Sequence, residues 1–180
     1  MYKANAQSHR LSDFDEFFLH NYVPIVQTLT LTTGDPQIAA ESTQDAFCRA
    51  YGRWTKVRRL DRPEAWIRRV ALNRARDLLR TDSRRSNTEA RALSGEGADP
   101  SRTLTQTTDD SIVGVDMARL LSHLSPKQRT ALVLHYLDDR PVDEIAEIMS
   151  ISTGTVKVHL HRGRRSLRAL VEQTESVGTP

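Results

Sequence analysis

The stretch that most constrains this chain is Pro141 to Leu170, PVDEIAEIMSISTGTVKVHLHRGRRSLRAL. Val142, Ile145, Ile148 and Met149 place an apolar stripe at helical spacing. Ser150–Ile151–Ser152 breaks it, and Thr153–Gly154 opens a second segment. There Val156, Leu160, Gly163, Leu167 and Leu170 recur at steps of four, three, four and three, one face of an α-helix. The other faces carry Thr155, Lys157, His159, Arg162, Arg164, Arg165 and Arg168. From Ile151 to Leu170 there are five Lys or Arg and no Asp or Glu. A short helix, a tight break and a cationic helix with one apolar face make a helix-turn-helix suited to the major groove. There base edges are read and phosphates neutralised. A solvated basic helix on an unrelated domain is the plainer alternative.

The net charge is only +3, but it is unevenly placed. Between Arg53 and Arg85 twelve Lys or Arg stand against four acids, a second basic block far from the first. Two such blocks imply contact with nucleic acid in two places. Aromatic content of 6% argues against a base-stacking sheet platform. Cys48 is the one cysteine, which excludes an intrachain disulfide and a cysteine-rich zinc site and fits a reducing cytoplasm. No apolar run approaches the roughly 18 residues of a membrane span, and MYKANAQSHRLSDF has no signal-type apolar region.

The organisation is all-α, two small helical domains joined by a flexible linker. The first covers residues 11–80. Ser12 is a candidate helix cap, followed by Phe14, Phe17, Phe18 and Tyr22 on one face. Thr33–Gly34–Asp35–Pro36 is a break. A helix from Pro36 to about Trp54 turns Ile38, Ala39, Ala46, Phe47 and Tyr51 inward. Lys56–Arg62 reads as a basic loop, and Pro63 suits the first position of a helix to Arg80. Residues 81–111, rich in Ser, Thr, Gly and Asp, bury too little apolar surface to offset their ordering entropy and read as the linker. The second domain covers 112–172. In it Ser125, Pro126 and Gln128 mark a strong helix start.

Taken together, these parts resemble the extracytoplasmic-function (ECF, group 4) sigma factors of bacterial RNA polymerase. AAESTQDAF, residues 39–47, looks like the polymerase-binding helix of region 2. WIRRVALNRARDLLR, residues 66–80, is similar to the helix that reads the minus-10 promoter element. LSPKQRTALVLHYLDDRPVDEIAEIMSISTGTVKVHLHRGRRSLR looks like region 4, which holds the minus-35 element. The resemblance implies an alternative sigma factor that binds core RNA polymerase and directs promoter-specific initiation, without enzymatic activity or cofactor. It also implies a partner anti-sigma factor. Departures stand at Ala40 and Ser42, at Pro141 where a capping Ser is common, and at Val158–His159 where Ser–Arg is common. The last pair bears on promoter sequence.

Glu41, Gln44 and Asp45 share one helix face at i, i+3 and i+4. By composition they are a solvated acidic face; the resemblance implies that they meet the large polymerase subunit, with Arg49 as an alternative, internal partner. The resemblance also implies that the 56–62 loop captures a base flipped from the melted strand, with Arg58, Arg59 and Asp61 as candidates. Asn73, Arg76 and Arg80 share one face and suit adenine, guanine or phosphate, whereas Trp66 reads as core packing or as a wedge. Thr155, Lys157, His159 and Arg162 are candidate contacts at or near the bases. Arg164, Arg165 and Arg168 are candidate phosphate clamps, and Thr153 a candidate helix cap beside phosphate. His159 and His161 point to different faces, so no metal is expected. His135 reads as structural. A stand-alone regulator of the two-component output type would share the last helix but leave Gln44–Asp45–Ala46–Phe47 unexplained. A nucleic-acid enzyme lacks a convergent carboxylate or Cys/His set.

Overall fold

The computed structural model describes residues 2–93 and 112–177, with side chains placed for 13–84 and 117–172. Every regular element among the described residues is a helix. In order they are α1 (Tyr2–Thr33), α2 (Pro36–Gly52), α3 (Trp54–Val57), α4 (Pro63–Leu93), α5 (Ile112–Ser122), α6 (Pro126–Tyr136), α7 (Val142–Met149) and α8 (Thr153–Val177).

Helix α1 starts ten residues before Ser12, the expected cap, because nothing between Tyr2 and Leu11 breaks a helix. Its last quarter, VQTLTLTT, is rich in β-branched residues that fit a helix poorly. The hydroxyls of Thr28, Thr30, Thr32 and Thr33 resolve this by donating to carbonyls four residues back, so Thr28 and Thr32 are buried with their polar atoms satisfied. Gly34, at φ 77°, takes the left-handed position that ends α1. Asp35 then caps α2 by accepting from the Gln37 and Ile38 amides at 2.9 and 3.0 Å, with Pro36 in the first turn.

Helices α1, α2 and α4 enclose an aromatic core. Phe14, Phe47 and Trp54 are buried, with Phe17, Phe18 and Tyr22 packed against them. The Phe14 ring meets Trp54 edge-on at 5.3 Å and Phe18 meets Phe47 edge-on at 5.0 Å, the geometry that ring quadrupoles favour. Of the positions expected to face inward on α2, Ile38, Ala39, Ala46 and Phe47 are buried, while Tyr51 is exposed. Lys56 and Val57, expected in a loop, lie in the short helix α3, which buries Trp54 and Val57.

The expected linker start also differs. Helix α4 runs through Arg80 to Leu93, so residues 81–93 are helical, and the rest of the proposed linker, 94–111, lies outside the described residues. Ser, Thr and Asn in this stretch are diluted by Arg, Glu, Ala and Leu, which favour helix.

In the second half, Ser125 and Gln128 form the anticipated capping box, with Gln128 Oε1 accepting from the Ser125 amide at 3.3 Å. Ser150, at φ 55°, ends α7 in the left-handed conformation and sets up the turn to α8. The N-cap of α8 is Ser152, whose Oγ accepts from the Thr155 amide at 3.1 Å; Thr153 is the first helical residue rather than the cap. Val156, Leu160 and Gly163 are buried against α6 and α7, as their spacing requires.

The two halves pack on each other. Helix α4 lies along α7 and α1 along α6. Leu31, Ala65 and Leu72 from the first half join the same apolar cluster as Leu132, Ile145, Ile148 and Val156 from the second. At this seam Arg68 and Asp138, seventy positions apart, form a two-point ion pair: Nε donates to Oδ2 at 2.5 Å and Nη2 to Oδ1 at 2.8 Å. Their side chains are only 3% and 6% exposed. Nearer the rim, Arg62 Nη2 meets Asp143 Oδ2 at 2.7 Å.

Candidate polymerase and DNA interfaces

Glu41, Gln44 and Asp45 on α2 form one surface, but the two acids have internal partners. Arg74 of α4 donates to Glu41 at 3.1 Å and approaches Asp45 at 3.9 Å, while Arg49 holds Asp45 at 2.9 Å. Gln44 is exposed beside them. The face is thus a small ion-pair network that fixes carboxylate positions along the α2–α4 seam. Exposed pairs of this kind add little stability, which leaves them free for another role.

The basic block divides into two sites. Arg58, Arg59 and Asp61 are all exposed, and Arg58 Nη1 donates to Asp13 Oδ2 at 2.6 Å. An open cleft of about 620 Å³ lies beside this pair, lined by Phe17, His20, Asn21 and Trp54. The Trp54 Nε1 donor is buried without a partner among the described residues. On α4, Asn73 and Arg80 are exposed and Arg76 is half-buried. Burial, with a smaller effect from Arg80, draws the Arg76 guanidinium below its ordinary pKa. Asn73, Arg76 and Arg80 follow at steps of three and four, so the structure brings them onto one side of α4. Trp66 is half-buried against the aromatic core, which favours packing over the wedge role.

Helix α8 presents Thr153, Thr155, Lys157, Arg162, Arg164, Arg165 and Arg168 to solvent. The Arg164 guanidinium reaches the Tyr136 hydroxyl at 3.4 Å. His159 is half-buried, and burial, then the charges of Lys127 and Arg162, draw its pKa below the ordinary imidazole value. His135 is structural: its Nδ1–H donates to the Arg140 carbonyl at 3.1 Å.

The departure at Val158 falls on this face: Val158, 44% exposed, lies between Thr155 and Arg162 at steps of three and four. The sequence did not reveal the ion pairs of Arg62, Arg68 and Arg74, whose partners lie far away in sequence. Among the described residues no His, Cys, Asp or Glu cluster has metal-binding geometry, and no helix is long and apolar enough to cross a membrane.

Comparison with known proteins agrees with this geometry. Residues 17–85 match Sigma-70 region 2, and residues 115–167 match Sigma-70 region 4. The ECF RNA polymerase sigma factor SigW of Bacillus subtilis is 30% identical over 142 residues, 75% of this chain and 76% of SigW. The RNA polymerase sigma-E factor of Streptomyces avermitilis is 27% identical over 165 residues, 91% of this chain and 87% of the relative. The fold matches the sigma factor RpoE from Bartonella quintana, solved with the anti-sigma factor NepR, at TM-score 0.68 and 20% identity. That match covers 89% of this chain and 97% of RpoE. CnrH, solved with the cytosolic domain of CnrY, matches at TM-score 0.63 and 21% identity over 94% of each chain. The chain belongs to the ECF sigma factors of RNA polymerase.

Proposed function

We propose that this sigma factor, which binds core RNA polymerase and directs promoter-specific initiation, divides that work between residues 11–80 and residues 112–172. The α2 face of Glu41, Gln44 and Asp45 docks on the polymerase. Asn73, Arg76 and Arg80 of α4 read and hold the minus-10 element. The cleft beside Arg58, with Arg59 and Asp61 at its approach, receives an unstacked base. Helix α8 lies in the major groove of the minus-35 element, with Thr155, Lys157, His159 and Arg162 toward the bases. Thr153, Arg164 and Arg165 hold phosphates.

The observation that carries this reading is α8 itself. One face is locked into the core through Val156, Leu160 and Gly163, and the opposite face is wholly exposed, cationic and free of acids through Leu170. Strand separation is driven by binding energy, and the chain acts without catalysing a reaction. An anti-sigma factor is the expected regulator, and the cytoplasm the expected site. RpoE, whose fold matches, was solved with the anti-sigma factor NepR, and CnrH with the cytosolic domain of CnrY.

Arg162→Ala tests the assignment against Gln44→Ala/Asp45→Ala. Losing one well-placed base contact costs about 1–3 kcal/mol, so Arg162→Ala weakens promoter-duplex binding by the holoenzyme and leaves core binding intact. The α2 double variant weakens core binding and spares the DNA contacts. Equal loss of both functions in either folded variant contradicts the division.

A further inference from the structure

The seam between the two halves pairs the basic surface of α4 and its preceding loop with carboxylates of the second half, Asp138 in the turn after α6 and Asp143 on α7. Asp138 fills the fork of Arg68 with both oxygens. Asp143 holds Arg62, whose pKa is raised by that hydrogen bond first and also by the charges of Glu147 and Glu144. A cleft of about 370 Å³ remains between Leu60, Asp61, Trp66 and Arg69 on one side and Glu147 on the other. Arg62 Nη1 is buried in this arrangement with no acceptor among the described residues. The carboxylate of Asp143 therefore leaves part of the Arg62 fork unfilled. Arg62 and Arg68 are six residues apart, next to the loop of Arg58, Arg59 and Asp61, and a guanidinium fork that pairs with a carboxylate takes a phosphate in the same two-point geometry.

We infer that Asp138 and Asp143 occupy phosphate-binding positions on the first domain, so that the second domain and melted promoter DNA compete for Arg62 and Arg68. The closed chain is then self-masked. It must open to act in any case: minus-10 and minus-35 elements lie about 25 base pairs apart by their names, about 85 Å of duplex at 3.4 Å per pair. With α7 against α4 the two reading surfaces cannot span that length. The inference rests on the proposed placement of the minus-10 surface on α4 and its preceding loop.

The two sides of the ion pairs give opposite outcomes, which a merely structural contact would not. Asp138→Ala/Asp143→Ala leaves buried Arg68 uncompensated, which favours opening, and frees both arginines for DNA. Arg62→Ala/Arg68→Ala also opens the seam but removes the phosphate contacts. The readouts are small-angle X-ray scattering of the full chain and fluorescence-anisotropy binding of a mixed-sequence single strand of about 20 nucleotides, since phosphate contacts are sequence-independent. Helical circular dichroism verifies that each variant is folded. Asp139→Asn, an exposed neighbour already in the left-handed conformation that Asn tolerates, controls for charge.

The acid variant should expand and bind the strand at least about fivefold more tightly. Its salt slope should steepen by about 1.4, at about 0.7 per single-strand phosphate. The arginine variant should expand without that gain, and Asp139→Asn should behave as the parent. An acid variant that stays compact, or expands without tighter binding, overturns the inference, as does an equal gain in the arginine variant. Adding Arg76→Ala to the acid variant separates the two proposals. If binding is undiminished while the acid-variant gain persists, the minus-10 assignment fails and the competition stands.

Discussion

A single methyl group at Gly163 would report how tightly the DNA-reading helix is seated. A Cβ built there lies 2.7 Å from Leu132 Cδ1, 3.1 Å from Leu132 Cγ and 3.5 Å from Gln128 Cβ. Leu132 is 3% exposed within the core, so it has little room to withdraw. Two effects oppose each other in Gly163→Ala. Replacing glycine in a helix interior gains about 0.8–1.0 kcal/mol. Overpacking a filled site costs about 1–3 kcal/mol. Because two atoms of a buried side chain are too close, the second effect wins, and the expected net loss is about 1 kcal/mol. For a chain of this size that lowers Tm by about 2–4 °C. Thermal unfolding followed by helical circular dichroism measures it. Leu132→Ala alone costs about 2–5 kcal/mol, but in the double variant the new methyl occupies part of the vacated space. The double variant should therefore be more stable than the sum of the singles by about 0.5–3 kcal/mol. A Gly163→Ala variant stabilised by the full helix-propensity gain, or strict additivity with Leu132→Ala, refutes the close approach of α8 to α6.

Three further outcomes follow from the same geometry. His159 is held below pH 6.5 in the free protein, so a nearby phosphate that raises its pKa makes binding take up a proton. Duplex affinity should rise as pH falls from 7 toward 6 more steeply in the parent than in His159→Gln, and identical profiles contradict this. The same lowered value means the unfolded chain binds more protons below pH 6.5. His159 therefore costs stability as pH falls through that range, and relative to His159→Gln the parent should lose stability there, measured by urea unfolding. Val158, exposed beside Thr155 and Arg162, suits the methyl group of thymine. Replacing thymines of the minus-35 duplex one at a time by uracil should weaken binding at one position by about 1 kcal/mol in the parent and not in Val158→Ser; a variant equally sensitive there removes Val158 from the readout.

What was legible in the sequence was local. The steps of Val156, Leu160 and Gly163 placed the buried face of α8, and the Gly34–Asp35–Pro36 and Ser125–Pro126 signals placed two helix starts, because caps and periodicity act within a turn or two. Less legible were elements with no apolar rhythm. The beginning of α1 and the end of α4 are helical through the propensity of residues whose pattern resembles loop. The seam was not legible at all. Arg68 sits in a run of arginines and Asp138 in a polar turn, and nothing local says that one will be buried against the other. The same holds for the polymerase face, where Glu41 and Asp45 stood out as a solvated row but their tie to Arg74 required the fold.

The central claim is that this chain confers promoter choice on core RNA polymerase. The direct measurement is co-purification of the chain with core enzyme, then run-off transcription on a pool of bacterial genomic fragments. The account predicts a stable complex and a small set of discrete transcripts absent with core alone, reduced by Arg162→Ala without loss of the complex. Failure to bind core, together with specific duplex binding by the chain alone, would contradict it.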